Sequence, residues 1–122
     1  MLTGKFFTVK DERDEGNDHT FSILFDPAHL IFEGHFPGQP VVPGVCMIQI
    51  VKELLERQRK LKIQLQKADH LKFLAVISPI ETPEVNISMN VAEGENILNV
   101  SGKISRGETV FLKYKMSFTV LN

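Results

Sequence analysis

The chain has 122 residues and a mass of 13.8 kDa, enough for one compact domain spanning residues 1–122 and too little for two. Hydrophobic residues make up 43% and charged residues 24%, a balance that excludes intrinsic disorder. Fourteen Lys and Arg against fifteen Asp and Glu leave a formal charge of −1, so no nucleic-acid binding that relies on a strong overall positive field is expected. The single cysteine, Cys46, excludes an intrachain disulfide and a cysteine-only metal site. No apolar run approaches the roughly 20 residues of a membrane span. Residues 1–10 lack a long apolar core behind a basic start, so no secretory signal is expected and the expected location is cytoplasmic.

Residues 5–9, Lys-Phe-Phe-Thr-Val, read as a β-strand rich in aromatic and β-branched side chains. The charged stretch Asp11 to Asp18 reads as a solvated hairpin tip without the spacing of a calcium loop. A second strand, His19 to Phe25, follows with Phe21, Ile23 and Phe25 on one face. Asp26-Pro27 closes it and can start a short helical turn running to Phe32.

Composition then shifts. Residues 34–44, Gly-His-Phe-Pro-Gly-Gln-Pro-Val-Val-Pro-Gly, hold three of the eight glycines and three of the six prolines. Proline lacks the backbone donor and glycine dilutes packing, which excludes regular helix or central strand. The segment is nevertheless apolar, so a stiff, packed loop is expected, of the kind that positions function. The one long helix follows at about residues 44–59. It opens apolar all round and turns amphipathic, with Ile50, Val51, Leu54 and Leu55 against Lys52, Glu53, Glu56 and Arg57. Glu53 and Arg57 are spaced for an i,i+4 ion pair.

From Lys62 the chain reads as strands. Ile63 to Gln66 alternates, and His70 to Val76 continues a long, bent strand. Residues 84–91, 97–104 and 109–121 follow, joined by turns at 93–96 and 105–108. Two strands, one buried helix and four further antiparallel strands predict an α+β fold in which the sheet curls around the helix. Sheet edge and apolar loop left over by a single chain favour a dimer.

The run Gly34-His35-Phe36-Pro37-Gly38-Gln39-Pro40-Val41-Val42-Pro43-Gly44-Val45, leading straight into the helix, resembles the signature of the β-hydroxyacyl-acyl-carrier-protein dehydratases. This is the FabZ/FabA group of the hot-dog fold. Lys67 to Phe73, followed by Val76 and Pro79, looks like that family's strand after the central helix.

The resemblance implies removal of water from a 3-hydroxyacyl thioester carried on acyl carrier protein or coenzyme A, within fatty-acid or related lipid metabolism. Such chemistry needs a base at C2, an acid at the C3 hydroxyl and a donor to the thioester carbonyl. By resemblance His35 is the base, oriented by the carbonyl of Val41, and the N–H of Gly44 polarises the thioester with the helix dipole behind it. A cis peptide between His35 and Phe36 is implied likewise. The acyl chain would lie between helix and sheet, with Phe32, Met47, Ile48 and Phe73 as walls and Phe36, Val41, Val42, Pro43 and Val45 as further contacts. No metal or other cofactor is implied.

One position departs from the pattern. The family places Glu or Asp fourteen residues after the histidine, reaching the site from the partner subunit; here that residue is Gln49. An amide can hold the hydroxyl but cannot protonate it as it leaves. Glu53, one turn on, a carboxylate from an acid-bearing homologue in a hetero-oligomer, or acyl-thioester binding without turnover are the alternatives. A hot-dog thioesterase is a further reading by fold analogy. A carrier protein is expected to be acidic, which makes Lys52, Arg57, Arg59 and Lys60 candidate docking charges or simply a solvated helix end.

Overall fold

The structure is a computed structural model that describes residues 1–34 and 38–121. Strands β1 (Phe7–Glu15) and β2 (Asp18–Phe25) form a hairpin, and a single helical turn α1 (Ile31–Gly34) leads toward helix α2 (Gly44–Arg59). Strands β3 (Lys62–Phe73), β4 (Glu84–Gly94), β5 (Ile97–Arg106) and β6 (Thr109–Leu121) complete one antiparallel sheet in the order β1-β2-β4-β5-β6-β3. No helix among the described residues is long and apolar enough to cross a membrane.

The charged stretch after residue 10 does not form an open tip. Strand β1 runs through it to Glu15, and only Gly16-Asn17 turn. The end of this edge strand is exposed on both faces from Lys10 to Glu15, so consecutive charged side chains all reach water. The turns expected at 93–96 and 105–108 do form, as two-residue loops at Glu95-Asn96 and Gly107-Glu108. Asn96 (φ 59°) and Gly107 (φ 58°) supply the left-handed conformation that such loops need.

Met47, Ile50, Val51, Leu54 and Leu55 form the buried stripe of α2, which lies against the inward residues of the sheet, among them Phe21, Ile23, Ile87, Met89, Leu112 and Phe118. Pro43 precedes the helix in an extended conformation, and Lys60 stops it in the left-handed region, its N–H donating to the Glu56 carbonyl.

One row of paired residues crosses the whole sheet: Asp14, His19, Met89, Gly102, Tyr114 and Leu71. The buried phenol of Tyr114 reaches past Gly102 to donate a 2.7 Å hydrogen bond to the Ser88 carbonyl. Burial pushes that phenol well above the ordinary tyrosine value. A Cβ on Gly102 would overlap the Ser88 carbonyl oxygen and stand 2.8 Å from the tyrosine hydroxyl. The obstruction is backbone in mid-sheet and cannot swing away, so Gly102→Ala is expected to cost about 3 kcal/mol in denaturant unfolding. A loss under ~1 kcal/mol would show that the strands separate there without penalty.

Candidate functional site

The N-terminus of α2 opens onto an apolar groove of about 540 Å³ lined by Val41, Val42, Pro43, Gly44, Met47, Phe73, Leu74, Ala75 and Val76. That size suits a small-molecule site. Its far wall comes from the end of β3, which stops at Phe73 rather than continuing to Val76. Leu74 is then held by its N–H to the Phe111 carbonyl at 2.8 Å. The loop side is fixed by the Val42 N–H, which donates to the Ile77 carbonyl at 2.9 Å. The prolines leave this loop few conformations to lose on folding, so a few bonds suffice to hold it.

Gly44 is the first residue of the helix and packs against Phe73. An added Cβ would lie 3.0 Å from the tip of that ring, so glycine permits the close approach of strand end to helix end. The N–H groups of Cys46 and Met47 both turn back to the Pro43 carbonyl. Among the described residues no group accepts from the Gly44 N–H. A donor at a helix N-terminus facing an apolar groove is suited to polarising a carbonyl.

Of the residues expected to contact substrate, Val41, Val42, Pro43, Met47 and Phe73 come together around this groove with Gly44. Phe32 does not join them. It is buried and stacked on Phe6, with ring centroids 4.9 Å apart. Val45 faces outward and is 74% exposed, and Ile48 is half-buried against the core. His35, Phe36, the peptide between them and any contact of His35 with the Val41 carbonyl lie outside the described residues. The other histidines are elsewhere. His19 is buried with Nδ1 2.7 Å from Asp14, His29 accepts from the Ile31 N–H, and His70 is exposed on β3.

Gln49 occupies a setting that the sequence does not announce. Its Nε2 donates to Glu53 Oε2 at 2.8 Å, and Glu53 is only 2% exposed. The same carboxylate accepts from the N–H of Leu2 at 2.8 Å, the N–H of Thr3 at 2.8 Å and the Thr3 hydroxyl. Glu53 thus clasps the N-terminal segment to the middle of α2. Burial pushes its carboxyl up, yet the Thr3 hydroxyl, the Leu2 N–H, the Gln49 amide and the Thr3 N–H together hold it below its ordinary value. An ionised carboxylate only accepts, so Glu53 is unsuited to be the missing acid, and it dictates that Gln49 turns its NH₂ inward.

The surface pair expected between Glu53 and Arg57 does not form. Arg57 instead lies 3.4 Å from Glu12, and Arg59 lies 3.0 Å from Glu93. Helical spacing describes neighbours within one helix, whereas the acceptors that won come from strands and the donors to Glu53 from the N-terminal segment. Cys46 is buried, which pushes its thiol up and makes it an inert core residue.

The family model for ApeI-like dehydratases, described as ApeI dehydratase, matches residues 11–110. The chain is 30% identical over 95 residues to the 3-hydroxyacyl-[acyl-carrier-protein] dehydratase FabZ of Clostridium acetobutylicum, covering 67% of each. It is 26% identical over 87 residues to the FabZ of Rickettsia massiliae, covering 61% of this chain and 60% of that one. Among solved structures, the dehydratase heterocomplex ApeI:P from Xenorhabdus doucetiae is similar with a TM-score of 0.72 and 18% identity, covering 91% of this chain and 96% of that one. A thioesterase mutant from Pseudomonas aeruginosa is similar with a TM-score of 0.67 and 11% identity, covering 93% and 81%. These neighbours place the six-stranded sheet and its helix in the hot-dog fold, as the sequence resemblance implied. The match in sequence over residues 11–110 carries the family: the chain belongs to the ApeI-like dehydratases.

Proposed function

We propose that this chain takes part in the dehydration of a 3-hydroxyacyl thioester, giving the trans-2-enoyl thioester and water. The observation that supports this most is the Gly44 N–H at the head of α2, opening onto the apolar groove directly after the Gly-His-Phe-Pro loop. In this reading the groove holds the acyl chain and the Gly44 N–H polarises the thioester carbonyl, so that the C2 proton becomes acidic. His35 takes that proton. The C3–O bond then breaks, and the departing hydroxide needs a proton to leave as water.

A second subunit completes the site in this reading. Strand β3 is an open edge, and Leu65, Phe73, Leu74 and Val76 along and beyond it are 40–73% exposed, a strip that a second hot-dog subunit would cover. The amide of Gln49 favours a hetero-oligomer in which a homologue brings the carboxylate. The similar ApeI:P structure is a dehydratase heterocomplex, a precedent for assembly of unlike chains.

Incubation with a 3-hydroxyacyl thioester on purified acyl carrier protein, followed by mass spectrometry, separates the readings. Loss of 18 Da with the thioester intact supports dehydration. Release of the free 3-hydroxy acid would replace it with a thioesterase. Neither product, alone and with an acid-bearing homologue added, would overturn the catalytic reading and leave an acyl-binding subunit.

A further inference from the structure

The outer face of the sheet, turned away from α2, gathers lysines at one end and mixed, partly ion-paired charges at the other. Lys72, Lys113 and Lys103 stand directly opposite one another on β3, β6 and β5, and Lys115 stands opposite His70 in the next outward row. All five are exposed, whereas their inward neighbours Leu112, Tyr114 and Ile104 are buried. At the far end of the Lys115 row Asp18 pairs with Glu15, whereas the row of three lysines ends on Thr20 and Arg13. Between them lie only amides and hydroxyls such as Ser88, Asn90 and Ser101.

Like charges directly opposite across strands oppose folding, and an ordinary surface relieves them with acids. Here, among the described residues, no carboxylate comes within ion-pair distance of Lys72, Lys103, Lys113 or Lys115. The chain as a whole carries −1, so the cluster is local and not a reflection of composition. The cations at the end of α2 differ: Arg57 and Arg59 already face Glu12 and Glu93. A groove of about 510 Å³ bordered by His70, Lys72, Lys113 and Lys115 marks the basic patch; its one carboxylate, Asp69, is paired with Lys67 at 3.2 Å. Lys72 is followed by Phe73, whose ring lines the apolar groove, so patch and groove lie on opposite sides of one strand end.

We propose that this basic half-face is the docking surface for the acidic protein that carries the acyl thioester. The proposal rests on the carrier-borne substrate of the preceding section and moves the docking charges from the helix end to the sheet. Three strands span about 10 Å, the width of one helix with its side chains, so the patch fits a short acidic helix. A polyanion or a membrane laid flat across the sheet would meet no continuous positive field, because the far end mixes Asp11, Glu15 and Asp18 with Lys10 and Arg13.

The test measures binding of fluorescently labelled acyl carrier protein loaded with a 3-hydroxyacyl group. It compares wild type, Lys103→Glu/Lys113→Glu and Lys52→Glu/Lys60→Glu, with circular dichroism verifying the fold. Sheet reversal is expected to weaken binding about tenfold or more, and 0.3 M salt to do the same (roughly, for a charge-steered contact), while helix-end reversal stays within about twofold. Equal binding by wild type and the sheet variant, stronger loss from the helix-end variant, or no carrier binding at all would each overturn the assignment. So would tighter binding of heparin or anionic vesicles than of the carrier. Turnover of a carrier-free pantetheine thioester is measured in parallel. Absence of turnover there, both alone and with an acid-bearing homologue added, together with carrier binding that depends on the sheet lysines, would defeat the dehydratase reading and leave the docking surface standing.

Discussion

Replacing His35 by alanine is expected to reduce water loss from the 3-hydroxyacyl thioester by about 10²–10⁴-fold while leaving carrier binding within about twofold. The asymmetry follows from what the residue is asked to do. In the proposed reading the apolar groove holds the acyl chain and a backbone N–H the thioester oxygen, neither of which His35 supplies. The C2 proton, by contrast, has no other imidazole to go to. His19 is committed to Asp14, His29 accepts the Ile31 N–H beside Phe6, and His70 sits on the outer face of the sheet. The control is therefore His70→Ala, assayed on a carrier-free pantetheine thioester so that its place in the docking patch does not enter, where it should keep turnover. Enoyl thioester formation by mass spectrometry reads both variants. A His35→Ala protein that still dehydrates at the wild-type rate would move the base to another group and remove the loop from the chemistry.

How much of this was legible in the sequence depends on whether a residue's partners were near in the chain. Alternating Phe21, Ile23 and Phe25, and Val85 through Val91, announced strands because both faces of a pleated ribbon leave a period of two. The helix was legible from its apolar stripe, and the groove from the stiff loop that delivers Val41 to Gly44 to it. Strand β3 was read as bent and extending to Val76, but it is one strand ending at Phe73, with irregularities at Leu65/Lys67 and Ala68/His70. Bulges shift the pleat by one residue and erase the alternation on which a reading depends. Phe32 was expected in the acyl wall, yet its stacking partner Phe6 lies a whole hairpin away. The burial of Glu53 had no local signal, since three of its donors belong to Leu2 and Thr3, some fifty positions distant. Only its spacing from Gln49 was visible, and that alone does not say which helical pair forms.

The Gln49→Glu variant is expected to gain dehydration activity by about 10²–10⁴-fold, the value of a positioned general acid, and the clasp explains why the new carboxyl would hold its proton. In the native chain Gln49 donates to a carboxylate 2.8 Å away. Two carboxyl groups in that position cannot both ionise, so the pair retains one proton at neutral pH. Glu53 keeps the charge, because the N–H groups of Leu2 and Thr3 and the Thr3 hydroxyl still donate to it after the substitution. The proton therefore stays on the side chain at position 49, the one the family pattern directs to the leaving hydroxyl. An acid must be protonated to act, so the rate of the variant falls as pH rises through the upper pKa of the pair, above the ordinary carboxylate range. Adding Glu53→Gln removes the neighbouring charge, lowers that pKa and moves the alkaline limb to lower pH. A pH–rate profile of the single and double variants reads both effects, and circular dichroism checks that the loosened N-terminal segment has not unfolded the chain. A single variant no faster than wild type, in folded protein that binds the carrier, would mean that position 49 does not face the hydroxyl and that the acid enters the site from elsewhere. An alkaline limb that stays put in the double variant would mean that Glu53 holds the N-terminal segment and has no influence on the chemistry.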